Sequence, residues 1–243
     1  MDDIRERLAR VRAELAAAAA SAGRDPASVR LVAVSKTKSV ELIREAYAAS
    51  QRDFGENYVQ EMTAKAEALS DLPDIRFHFI GHLQRNKARF VAVAASMVHT
   101  VDSARLAEEL GKRTADAVSK GLRRTTSFET DRGKLPVLVE VNVGGEAQKS
   151  GCAPGELLAV LDAIENEPSL SLAGLMTVPP FTERAEDSRA YFDALARLRD
   201  AHGGAKRLPE LSMGMTRDFA HAVQAGATLV RIGTAIFGER GAA

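Results

Sequence analysis

The chain has 243 residues, 45% of them hydrophobic and 27% charged, and its 33 basic and 33 acidic side chains cancel. That balance supplies core for one large α/β domain or two small ones and argues against a general nucleic-acid or anionic-membrane binder. Its only cysteine, Cys152, excludes an intramolecular disulfide, and a cytoplasmic location is the expectation.

In chain order, residues 2–22 predict an amphipathic helix, with Ile4, Leu8, Val11 and Leu15 at helical spacing and Gly23 as the stop. The same opening, "MDDIRERLARVRAELAAAAASAG", carries acids where a signal peptide needs bases, and its apolar positions are too interrupted for a membrane span. From Leu31 onward, short β-rich runs alternate with helical patterns. Strands are expected at Leu31–Val34, Asp53–Phe54, Phe77–Ile80, Met97–Val101, Val137–Val143, Leu172–Leu175, Leu211–Met213 and Leu229–Ile232. Helices are expected at Val40–Ser50, Ser103–Lys120, Pro154–Asn166, Ala185–Ala201 and Thr216–Ala225. Strands followed by helices predict a single (β/α)₈ TIM-type barrel with an extra N-terminal helix, in one domain over 1–243; such barrels run to about 250 residues. A doubly wound open sheet is the competing architecture. Residues 119–134, "SKGLRRTTSFETDRGK", are polar and aperiodic, and read as a flexible solvated loop.

In both architectures, binding groups gather at the carboxyl ends of parallel strands. There the sequence is polar and glycine-rich. Lys36 follows the first strand, and Glu56 and Asn57 follow the second. "GHLQRNK", with His82, follows the third, "NVGGEAQKSG" the fifth, "LSMGMTRD" the seventh and "RIGT" the eighth. Ser212 and Gly214, just ahead of a helix whose first turn carries Thr216 and Asp218, and Gly233 and Thr234 after the last strand, combine hydroxyls with close backbone approach, a pairing suited to a phosphate. Arg231, between Val230 and Ile232, is either paired inside the barrel or aimed at a ligand. A lysine at a dry strand end is available as a neutral amine. Beside a phosphate pocket, Lys36 therefore suggests a Schiff base with a phosphorylated aldehyde or an ion pair with the phosphate. The histidines show no metal-ligand spacing, no base accompanies Cys152, and neither a dinucleotide fingerprint nor a Walker loop is present.

"AVSKTK", "FGENYVQE", "HFIGHLQRNK", "VNVGGEAQKSG", "GLMTVPP", "LSMGMTRDFAHAV" and "GATLVRIGTAIFG" closely resemble the pyridoxal phosphate homeostasis protein family, also called the proline-synthase co-transcribed family. The resemblance runs from Leu31 to Gly238 in order. It implies a barrel similar to the alanine racemase N-terminal domain that binds pyridoxal 5′-phosphate (PLP), with Lys36 as the Schiff-base lysine. It also implies a phosphate held by Ser212, Gly233 and Thr234, Arg231 facing the pyridine nitrogen, and Asn57 and Met213 lining the pocket. The expected function is a PLP carrier in intracellular PLP homeostasis, a monomer that passes cofactor to PLP-dependent apoenzymes without turnover of its own. Lys38 and Lys149 are possible second PLP sites. A weak amino-acid racemase and a PLP-responsive regulator are the alternatives. For the racemase, the chain ends about ten residues after its last strand, and Tyr47, Tyr58 and Tyr191 all fall in predicted helical stretches.

Overall fold

The computed structural model describes residues 3–123, 133–146 and 148–238. α1 (Ile4–Ser21) starts at Asp3, whose carboxylate accepts the Glu6 N–H while Glu6 caps the Asp3 N–H in return. Its buried stripe is Ile4, Leu8, Val11, Leu15 and Ala19, the one-sided spacing a helix presents to a core. Full burial of a side chain such as Leu8 contributes about 1.5–3 kcal/mol.

The remaining elements alternate: β1 (Arg30–Val34), α2 (Val40–Ala48), β2 (Asp53–Glu56), α3 (Val59–Ala68), β3 (Arg76–Phe79), α4 (Ala88–Ala94), β4 (Met97–Val101), α5 (Ala104–Ser119), β5 (Leu135–Glu140) and α6 (Leu157–Glu165). They continue with β6 (Leu170–Met176), α7 (Arg189–Ala201), α8 (Gly204–Arg207), β7 (Glu210–Ser212), α9 (Phe219–Gln224), β8 (Leu229–Ile232) and α10 (Thr234–Phe237). The eight strands pair in sequence order and close, so the sheet is a parallel barrel. β1 lies between β2 and β8, with Ala33 opposite both Phe54 and Ile232. The barrel with its surrounding helices is the predicted TIM-type architecture, and the open-sheet alternative is excluded.

Burial divides the apolar residues in two. A large shell between strands and helices holds residues such as Phe54, Phe79, Val137 and Phe192. A small inner cluster holds Val32, Met97, Leu138, Met176 and Leu229. Alternation along a strand therefore puts Glu140, two residues after Leu138, and Arg231, two after Leu229, on the inner face.

Several boundaries differ from expectation by a few residues, two of them at the site. β5 stops at Glu140 rather than Val143, because Val141 pairs with Cys152 of the returning loop and Asn142 donates to the Cys152 carbonyl. The expected helix at Thr216 begins at Phe219, because Asp218 Oδ1 accepts the Met215 N–H at 2.7 Å and winds Thr216 into a separate turn. α3 and α4 are helices that the sequence reading did not place. Most of the predicted 119–134 loop, residues 124–132, lies outside the described residues. Among the described residues, no helix is long and apolar enough to cross a membrane, and no His/Cys/Asp/Glu group would hold a metal ion.

Candidate functional site

Lys36 leaves β1 on a turn that its neighbours hold rigidly. Thr37 has φ +63°, a left-handed conformation costly for a β-branched residue. The turn is fixed from three sides. Glu61 Oε1 accepts the Thr37 N–H at 2.6 Å, Lys65 Nζ donates to the Ser35 carbonyl at 2.7 Å, and Ser35 Oγ donates to Glu56 Oε1 at 2.6 Å. Lys65 also bridges Glu56 and Glu61, at 2.7 and 2.6 Å. Burial pushes the Glu56 carboxyl up, and the Lys65 and Ser35 hydrogen bonds oppose it. Lys36 itself is half-buried. Lys38 turns the other way, its Nζ reaching the carbonyls of Phe237 and Gly238 at 3.2 Å.

The turns after β7 and β8 stand next to this lysine. Gly233 packs on Val34: a Cβ on it would lie 3.2 Å from the Val34 carbonyl oxygen. Gly214 has φ +92°, and a Cβ there would come within 2.6 Å of Ala222 Cβ, so only glycine fits. Across these turns the Thr216 and Thr234 hydroxyls lie 3.3 Å apart. A cavity of about 450 Å³ opens beside them, lined among others by Met215, Asp218, Phe181 and Lys149. The Lys149 ammonium is bonded to the Pro179 carbonyl at 2.8 Å and paired with Glu146.

Ser212 does not join this hydroxyl pair. Its side chain is fully buried inside the barrel, where it takes part in a column of hydrogen bonds. Arg231 Nη1 donates to Ser212 Oγ at 2.6 Å, and Ser212 Oγ lies 2.8 Å from His99 Nδ1. His99 Nε2 is 2.9 Å from His78 Nδ1, and His78 Nε2 is 2.9 Å from Asp53 Oδ1. Arg76 closes the lower end with two bonds to Asp53, at 2.8 and 2.7 Å. A guanidinium only donates. Ser212 Oγ therefore accepts from Arg231 and donates its O–H to His99 Nδ1. That puts the His99 proton on Nε2 and the His78 proton on Nε2, which donates to the carboxylate. Burial holds His99 well below the ordinary imidazole range, so it is neutral. Burial pushes Asp53 up, but the bonds from Arg76 and His78 outweigh it and hold the carboxyl well below the usual range.

Arg231, the upper end of the column, also donates to the Thr177 carbonyl at 2.9 Å. Burial lowers it to about 10, so it remains a cation at neutral pH. Of the two roles the sequence left open, these bonds show the pairing inside the barrel. Met213 is buried in the shell core, behind the barrel wall. Asn57 is half-buried after β2, and its Oδ1 is buried with no hydrogen-bond partner among the described residues. Tyr47 and Tyr191 lie in α2 and α7. Tyr58 does not lie in a helix: it is the N-cap of α3, two residues past β2, and 57% exposed.

The sequence reading missed Glu140. It is 8% exposed at the end of β5, and its carboxyl has no hydrogen bond or ion pair among the described residues. Burial pushes it up to about 7, against the pull of the Arg231 charge and with the help of Asp102. A lone glutamate amid the valines of "VLVEVNV" was the available signal. Burial also pushes the Cys152 thiol up to about 12, which removes it as a nucleophile. His82 is exposed at the rim, 3.2 Å from Ser150 Oγ and 3.7 Å from Asp102.

Comparison with known proteins places this arrangement. The family profile described as alanine racemase, N-terminal domain, matches residues 7–241. The pyridoxal phosphate homeostasis protein of Pseudomonas aeruginosa is 45% identical over 241 residues, covering 99% of this chain and 97% of its own. That of Aquifex aeolicus is 42% identical over 237 residues, covering 97% of each chain. PipY of Synechococcus elongatus, solved with PLP bound, superposes with a TM-score of 0.77 at 36% identity, covering 97% of this chain and all of its own. The chain therefore belongs to the pyridoxal phosphate homeostasis protein family.

Proposed function

We propose that this protein binds PLP at the upper rim of the barrel and holds it as a reversible covalent store, contributing to PLP homeostasis. The observation that carries the reading is the placement of the Lys36 amine and the Thr216–Thr234 hydroxyl pair on neighbouring strand ends, with Gly233 seated on Val34. The names of the relatives and the PLP-bound PipY structure point the same way.

The residues present fit the ligand. Thr216 and Thr234 offer two hydroxyls to a phosphate, beside turns whose glycines let it approach the backbone. Asn57 Oδ1 is a buried acceptor awaiting a donor. Lys36 is the amine for the aldehyde, and its condensation forms one C=N bond and releases one water. Arg231 would face the pyridine nitrogen, the role that the family resemblance implies. Ser212 reaches the ligand only through Arg231, which it orients together with His99. PLP supplies an electrophilic aldehyde and a conjugated ring. As an electron sink the ring works best with a carboxylate that keeps its nitrogen protonated. Arg231 is itself a donor and cannot accept that proton. A holding role suits such a site better than deep carbanion chemistry.

The test is an absorption spectrum with PLP before and after borohydride reduction, for wild type and Lys36→Ala. The expected result is an imine band trapped at Lys36, lost in the variant, with L-alanine left unracemised by the loaded protein. Equal trapping in the variant would dismiss Lys36 as the anchor, and racemisation would favour the enzyme reading.

A further inference from the structure

Glu140 has no part in the scheme above, yet it lies on the inner face at the carboxyl end of β5, within the field of the Arg231 charge. It ends β5, and in a closed ring of eight strands β5 is four places from β1 in either direction, so Glu140 stands opposite the strand that carries Lys36. It shares the inner face with Leu138 and is almost fully buried. Among the described residues, the other inner-face strand carboxylates are paired: Asp53 with Arg76 and His78, and Glu210 with Arg30. Glu140 has no such partner among the described residues. An unpaired buried carboxylate is costly, and a group in that position avoids the cost by keeping its proton.

From these observations, and resting on the PLP reading, we propose that Glu140 is the proton-switchable charge of the pocket: neutral Glu140 admits the anionic cofactor, and ionised Glu140 expels it. The groups around it allow the switch. From β8, Arg231 favours the ionised form, but its bonds go to Ser212 and Thr177. From the segment after β4, Asp102 opposes ionisation, with His82 beside it. His99 on β4 is neutral, and the β6 residue in register with Glu140 is Met176. From the loop after β5, Cys152 stays a thiol. Lys36, across the mouth, condenses with the aldehyde and releases one water. The phosphate then leaves the loaded pocket more negative than the empty one, and an ionised Glu140 adds to that charge.

The experiment compares apparent PLP dissociation constants of wild type and Glu140→Gln across pH. The ratio cancels the titrations of Lys36 and of PLP itself, which both proteins share. The expected ratio is close to unity at about pH 5.5 and reaches about tenfold weaker binding by wild type at about pH 8.5, since one unit of displaced pKa is a factor of ten. A ratio that stays flat while both proteins take up PLP overturns the proposal and leaves the PLP reading intact. Absence of PLP uptake by either protein at any pH overturns both. Should the variant not fold, carboxyl-carbon NMR of glutamate-labelled apo wild type decides: one resonance titrating near neutrality, and shifting upward when PLP is added, is expected. Carboxyls that all titrate in the ordinary acid range would refute the switch.

Discussion

Replacing Lys65 with methionine should unseat the turn that presents Lys36. The ammonium is almost fully buried and donates to three acceptors, the Ser35 carbonyl and the carboxylates of Glu56 and Glu61, all within 2.7 Å. Methionine keeps the length and apolar stem but leaves Glu56 facing Glu61 with no cation between them. Removing one partner of a buried pair costs about 3–5 kcal/mol. In a chain of this size each kcal/mol lowers Tm by about 2–4 °C, so the apo protein should melt about 6–20 °C lower. The sign of the pH dependence follows from Glu56. Burial already raises its pKa and Lys65 is the chief restraint, so without Lys65 the carboxyl climbs further. A carboxyl raised on folding gives stability below its unfolded pKa that is lost as pH rises through the folded value. The deficit of Lys65→Met should therefore be larger at about pH 8 than at about pH 5. Thermal melts of wild type, Lys65→Met, Glu56→Gln and the double variant test this, and the double variant should be less destabilised than the two single losses summed. A variant melting within about 2 °C of wild type, or a deficit that grows on acidification, would refute the reasoning.

Thr216→Val and Thr234→Val should each weaken PLP binding about tenfold or more, the worth of a hydrogen bond to a charged group, while the apo melt is unchanged because neither hydroxyl is buried. Unchanged affinity by equilibrium dialysis would move the phosphate elsewhere. Asp53→Asn should cost about 3–5 kcal/mol at neutral pH, since it strips a buried carboxylate from Arg76 and His78. Asp53 is depressed on folding, so its contribution is present above the unfolded pKa of about 3.9 and lost as pH falls below it. Urea unfolding should then show the gap to wild type narrowing in acid, and a constant or widening gap would contradict the pairing.

The barrel was legible because each strand ran apolar and each strand end turned polar. Lys36 in "SKTK" and the glycine turns at Gly214 and Gly233 stood out because those residue types are out of place at the edge of a core unless something approaches them. What escaped was long-range pairing. Nothing local to Ser212 says that His99 and Arg231 will claim its hydroxyl from residues 113 and 19 positions away. Thr216, counted as part of a helix, is the threonine that the turn before α9 brings to Thr234. Lys65 and Glu61 sit in a helix that the sequence reading did not place, and only the close approach of α3 to the β1 turn makes them its clamp. Glu140 was hidden by a strand drawn three residues too long.

The column from Arg76 to Arg231 has a consequence for how the barrel closes. Its members come from β2, β3, β4, β7 and β8, and each bond is directional. The backbone seam between β7 and β8 is thin, with Ser212 opposite Leu229 as its one registered pair. Apolar side chains would tolerate a slip at that seam, since one valine packs much like another. The column does not: a shift of one residue in β8 turns Arg231 outward and leaves Ser212 Oγ and the Thr177 carbonyl without the donor they share. The polar interior thus acts as a proofreader of register, checking at the last strand what the first strands laid down.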